Sequence, residues 1–220
     1  MIHRGKSLHA IAVLVSLSGY LRPTDMDSLL VKELIAPQLI ASPTFMNWAL
    51  VLHSSESGTI GKTGDRDENI ILDDSVCKTF DKVFQKITTG VDKNEKLFPF
   101  TQMSFNNEIR QSVARLGLTR VGFVPYSLRH SGASGDFLDK TRTLQDVQFR
   151  GRWRSDESLK RYCKSSLAQA AAAEVPTAVL QWGAMLELNF AKYLLGLQKI
   201  PPPPSAQACA AGSVGNLTPL

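Results

Sequence analysis

The block from Trp48 to Leu72 constrains the fold more than any other stretch of this chain. Trp48-Ala49-Leu50-Val51-Leu52-His53 is a run of strand formers, Gly58 to Asp67 is dense in Gly, Thr, Asp and Lys, and Asn69-Ile70-Ile71-Leu72 is apolar again. Two short apolar runs about a turn-rich tip read as an antiparallel hairpin. On both sides the pattern is helical. Residues 7 to 18 read as a buried helix, Gly19 as a turn, and Pro23 as the first turn of a second helix. Met26, Leu29, Leu30 and Leu34 recur at spacings of three and four, which carries that helix on to a stop at Pro37. Asp74 or Ser75 caps a helix reaching about Ile87. Further helices are expected from about Met103 to Leu116, from near Ser127 past Phe137, over 143 to 150 with Gly151 closing it, and from Ser155 through Tyr162. The alanines of 168 to 173 prolong helix or form a linker. Trp182, Met185, Leu186, Phe190, Tyr193, Leu194 and Leu197 make 180 to 198 one amphipathic helix. The expected fold class is α+β, mainly helical, with a small antiparallel β-hairpin or sheet.

Composition narrows the function classes. The chain has 220 residues, 43% hydrophobic and 20% charged, which is ordinary for a globular protein with a real core. Its 25 basic and 20 acidic residues leave a formal charge of +5, compatible with a polyanionic partner without demanding one. Cys77, Cys163 and Cys209 are odd in number and widely spaced, which argues against a disulfide framework or a zinc module. That pattern suits a reducing compartment, so an intracellular location is expected, nucleus or cytoplasm. The apolar run from Leu8 to Leu17 is short for a membrane span and contains His9, so no membrane partner is expected. No cluster of acidic residues has a metal-ligand pattern, and there is no Walker motif; no metal or other cofactor is expected.

Five segments carry chemistry-bearing residues. They are Gly19-Tyr20-Leu21-Arg22-Pro23-Thr24-Asp25; Lys62 within Gly61-Lys62-Thr63-Gly64; Pro125-Tyr126-Ser127-Leu128-Arg129-His130; Arg150-Gly151-Arg152-Trp153; and Tyr162 within Leu159-Lys160-Arg161-Tyr162-Cys163. Each by itself is an ordinary surface or core residue. In this order, over residues 8 to 165, they resemble the catalytic domain of the tyrosine recombinase (phage integrase) family. Arg22 matches the first catalytic arginine, with Asp25 where the family more often has Glu. Lys62 matches the hairpin lysine, Arg129 the second arginine, Trp153 the phosphate-bonding His or Trp, and Tyr162 the nucleophile. Tyr126 stands where the family usually has histidine. Tyr162 follows Trp153 by nine residues, the family's usual spacing.

The resemblance implies site-specific recombination or integration through a 3′-phosphotyrosine, as in mobile elements. The chemistry needs those residue types. Guanidinium groups grip two phosphate oxygens at once. Donors such as the Trp153 indole and the Tyr126 hydroxyl meet charge on the equatorial oxygens, and a lysine protonates the departing 5′ oxygen. Arg152, Lys160 and Arg161 are expected at the DNA. Double-stranded DNA is the expected partner, with a homo-oligomer assembling on it. Residues 1–177 are expected to be the catalytic domain, lacking the separate N-terminal clamping domain. Residues 178–200 form the amphipathic helix, docked on a neighbouring protomer or packed in cis, and 201–220 a proline-rich disordered tail whose Pro201 to Pro204 form a spacer. Arg129→Ala is expected to abolish cleavage and leave the fold intact. Two alternatives stand beside this reading: a degenerate relative that binds DNA without cutting it, and a helical protein-interaction domain. A type IB topoisomerase uses related chemistry, but the short strand-exchange motifs fit better.

Overall fold

The computed structural model describes residues 1–38, 46–52, 68–155, 157, 159–160 and 165–204. The expected hairpin tip and the tail beyond Pro204 lie outside the described residues. The protein is mainly helical with a small antiparallel sheet, the α+β class read from the sequence. Helix α1 spans Ser7–Ser18 and buries Ala10, Ile11, Ala12 and Val15 in the core. It stops where the Gly19 and Leu21 amides turn back to the Val15 and Ser16 carbonyls.

The second helix is much shorter than its leucine spacing predicts. Helix α2 covers only Pro23–Ser28. Leu29 is extended, and the backbone of 29 to 32 bonds instead to residues 93 to 97, through Val31 N to Glu95 O, Lys32 N to Lys93 O and Leu97 N to Leu29 O, each 2.9 Å. Leu34–Ile35 becomes an unforeseen strand, β1, at the edge of the sheet. Leu29, Val31 and Leu34 are buried either way, so tertiary partners overrode a helical spacing. Strands β2 (Ala49–Leu52) and β3 (Glu68–Ile71) pair antiparallel, with Leu50 opposite both Leu34 and Ile70.

After β3 the Asp74 carboxylate accepts the Val76 and Cys77 amides, at the head of a 3-10 turn and not of the expected helix. The chain makes a 3-10 turn over Cys77–Thr79 before α3, Asp81–Thr88, so one expected helix is two pieces. Helix α4 (Gln102–Arg115) is capped by Thr101, whose hydroxyl accepts the Ser104 amide. Then come α5 (Ser127–Leu138) and α6 (Leu144–Gly151), the latter opened by a reciprocal Thr143–Asp146 cap. Helix α7 (Ser165–Ala173) takes the alanine-rich stretch. The expected single C-terminal helix is two, α8 (Thr177–Glu187) and α9 (Phe190–Leu195), broken at Asn189. The break lets α9 turn onto α3, where Phe190 stacks on Phe80 and Leu194 enters the main core. Pro201 is anchored, its carbonyl accepting the Trp182 indole N–H at 3.2 Å and lying 3.3 Å from His3 Nε2. Among the described residues, no helix is long and apolar enough to cross a membrane.

Helix α5 passes close to α1. A Cβ on Gly132 would lie 2.2 Å from the Leu17 carbonyl and within 3 Å of the Tyr20 ring, so only glycine permits this approach. The approach brings α5 and α6 beside the turn at residues 19 to 22, where the candidate site lies.

Candidate functional site

The turn between α1 and α2 is the hub. Tyr20 is fully buried and holds a left-handed backbone, φ 46°, uncommon outside glycine. Its hydroxyl donates to Asp136. Burial, with that carboxylate, pushes its phenol well above the ordinary range. Its carbonyl is the meeting point of two arginines, accepting from Arg129 Nη1 and, at 3.2 Å, from Arg152 Nη2. Arg22 follows as the residue before α2, its amide donating to Asp25 at 2.9 Å and its guanidinium 3.9 Å from the same carboxylate.

Arg129 is 1% exposed. Besides Tyr20, it donates through Nη2 to the Gly151 carbonyl, and its guanidinium lies 4.8 Å from the centre of the Trp153 ring. Trp153 is buried against Tyr20, Ala133, Val147 and Leu159 in a small cluster separate from the main core. Gly151 is necessary here, because a Cβ would come within 2.0 Å of the Trp153 ring. The sequence pattern makes Gly151 the residue that closes α6, but in the structure it is the last helical residue. The left-handed position falls to Arg152, φ 55°. A conformation that favours glycine is thus carried by an arginine, held by an ion pair to Asp25 at 2.8 Å and one to Glu68 at 3.4 Å. Burial lowers its basicity, which Asp25 and Glu68 partly restore and Arg22 opposes.

A second layer of charge surrounds this hub. Arg150 donates to the Ser18 carbonyl at 2.7 Å, pairs with Asp73 at 3.1 Å, and lies 5.7 Å from the Tyr20 ring centre. Arg142 pairs with Asp73 and with Asp136. Glu68, the first residue of β3, ties the start of that strand to Arg152.

Of the residues expected from sequence, Arg22, Arg129, Arg152 and Trp153 come together around the Tyr20–Arg22 backbone. Tyr126 is 40% exposed at the start of α5 and edge-on to His130, ring centres 5.2 Å apart. Lys160 is exposed. Lys62, Arg161, Tyr162 and Cys163 lie outside the described residues. Leu159, three positions before Tyr162, is buried in the Trp153 cluster, and its amide bonds to the Ser155 carbonyl as in a helix. Sequence reasoning missed Tyr20, Glu68, Asp73, Asp136 and Arg142. Tyr20 lies within the Gly19 to Asp25 segment, and an aromatic residue beside a turn glycine is the signal that could have found it. Asp73 pairs with Arg142 across 69 residues and Glu68 with Arg152 across the chain, which nothing local announces, whereas Asp136 and Arg142 pair six residues apart.

Fold and site together define a mainly helical α+β protein whose three-stranded antiparallel sheet borders a cluster of buried arginines. Comparison with protein-family models, with curated proteins and with solved structures finds no match for this chain.

Proposed function

We propose that this protein cuts and rejoins double-stranded DNA as a tyrosine recombinase does, working as a homo-oligomer on its target. Tyr162 Oη attacks the phosphorus as its phenolic proton passes to water, the bond to the 5′ oxygen breaks, and Lys62 gives that oxygen its proton. Arg22, Arg129 and Trp153, with Tyr126 at the edge, meet the charge on the non-bridging oxygens. The 3′-phosphotyrosine conserves the bond energy, so a 5′-hydroxyl from another strand reverses the step. The observation that carries this reading is the convergence of three motifs distant in sequence. The Arg22 turn, Arg129 on α5, and Trp153 after α6 meet around one carbonyl and one ring face.

A second reading, a relative that binds DNA without cleaving it, is favoured by a different observation. The Arg129 guanidinium is buried and donates to two main-chain carbonyls. A clamp for phosphate keeps its donors for the ligand.

The two readings separate on nicked duplexes that release the cleaved fragment. The full chain and Tyr162→Phe are incubated with a pool of such duplexes and run on a denaturing gel. Cleavage predicts a covalent adduct that Tyr162→Phe abolishes. A shifted native complex without adduct assigns the protein to the binding-only reading, and neither shift nor adduct overturns both.

A further inference from the structure

We propose that the cleft between β3 and α6 is a second phosphodiester subsite, in which Arg152 and Arg154 hold a backbone phosphate next to the one that reacts. The inference rests on the DNA reading above. The cleft has a volume of about 510 Å³ and shares Arg152 and Trp153 with the candidate site, so a ligand lying in it is continuous with one bound there.

Four arginines line it, Arg142, Arg150, Arg152 and Arg154, against three carboxylates, Glu68, Asp73 and Asp146. Their pairing is uneven. Asp73 serves both Arg142 and Arg150, Arg142 also reaches Asp136 outside the cleft, and Asp146 is engaged in capping α6. Arg152 shares itself between Asp25 and Glu68, but its Nη1 is buried and makes no hydrogen bond among the described residues. Its side chain is only 6% exposed. A buried guanidinium nitrogen with no acceptor is a costly arrangement that an anion relieves. Arg154 is exposed two residues further on and has no ion pair among the described residues. One cation held back by Glu68 and one open to solvent form a pair suited to two oxygens of a phosphate.

Glu68 acts as the counter-ion that phosphate displaces. When a phosphate enters, Arg152 exchanges the 3.4 Å approach to Glu68 for the ligand, and Nη1 gains its acceptor. A polymer suits the cleft better than a free ion, because Phe149 lines it while 73% exposed, an aromatic face open to a base or sugar.

The test is fluorescence anisotropy of the full chain on a labelled random-sequence duplex of about 30 base pairs, over a KCl series, a length that spans several bound phosphates. Arg154→Gln should weaken binding roughly eightfold at about 0.1 M salt and flatten the log–log salt slope by about one, as expected when a single phosphate is no longer neutralised. Glu68→Gln should tighten binding, since the competing carboxylate is gone. Glu95→Gln, at an exposed position on the 92–96 turn, controls for net charge alone. If Arg154→Gln keeps the wild-type slope while the wild type binds, the subsite is wrong and the DNA reading stands. If the wild type does not bind duplex, both fall. Arg154 is exposed, so its variant decides the matter even if Glu68→Gln fails to fold.

Discussion

Arg129 shows how burial changes what a residue is expected to do. From sequence, Arg129→Ala should remove chemistry and spare the fold. In the structure the same change strands the buried Gly151 carbonyl, leaves the Tyr20 carbonyl with the Arg152 donor alone, and removes the cation beside the Trp153 ring. Two hydrogen bonds from a charged donor are worth about 3 kcal/mol or more together. Arg129→Ala should therefore lower the urea midpoint by a corresponding amount and red-shift tryptophan emission, whatever it does to cleavage. Arg129→Lys should recover little, because an ammonium cannot span two carbonyls as the planar fork does. An alanine variant as stable as wild type would mean that these bonds are dispensable and the side chain is free for ligand.

Between elements, the tie most open to test is Asp73, which joins the end of β3 to Arg142 and Arg150. Burial alone would raise its carboxyl, but the Arg142 hydrogen bond and the Arg150 charge outweigh that and hold it below the usual aspartate range. A carboxyl whose folded value is depressed stabilises the protein above its unfolded value of about 3.9, and that contribution disappears as pH falls through the folded value. Thermal melts between about pH 7 and pH 3 should show this loss in the wild type below about pH 4. Asp73→Asn should be less stable at neutral pH and should lose part of the acid dependence. Equal slopes in the two proteins would show that Asp73 is not held by its arginines.

For the whole molecule, the question is whether the C-terminal region is an appendage or part of the fold. Leu194 is buried in the same core cluster as Leu50, Phe80 and Phe84, and the Pro201 carbonyl meets Trp182 and the N-terminal His3. Leu194→Ala should then cost about 2–4 kcal/mol and shift the whole urea transition, which stays single. An independent helix at residues 178–200 would leave the main transition where it is and add at most a small early one.

The sequence by itself determined the element types wherever the signal was local. Caps at Thr143 and Asp74, the turn at Gly19, and the two apolar runs about residues 58 to 67 each carry their own geometry within a few residues. Of the nine residues the sequence reading placed at the candidate site, Arg22, Arg129, Arg152 and Trp153 meet around one turn, while Lys62, Arg161 and Tyr162 lie outside the described residues. Only the tertiary structure decided that Leu29 to Ile35 leave the helix, because the backbone partners of 29 to 32 lie more than sixty residues away, at 93 to 97. The same reason governs the site. Which arginine is buried, which carboxylate holds it, and which carbonyl it meets depend on chain segments that approach only after folding. A guanidinium reads identically in the sequence whether it faces phosphate, a carboxylate or the backbone.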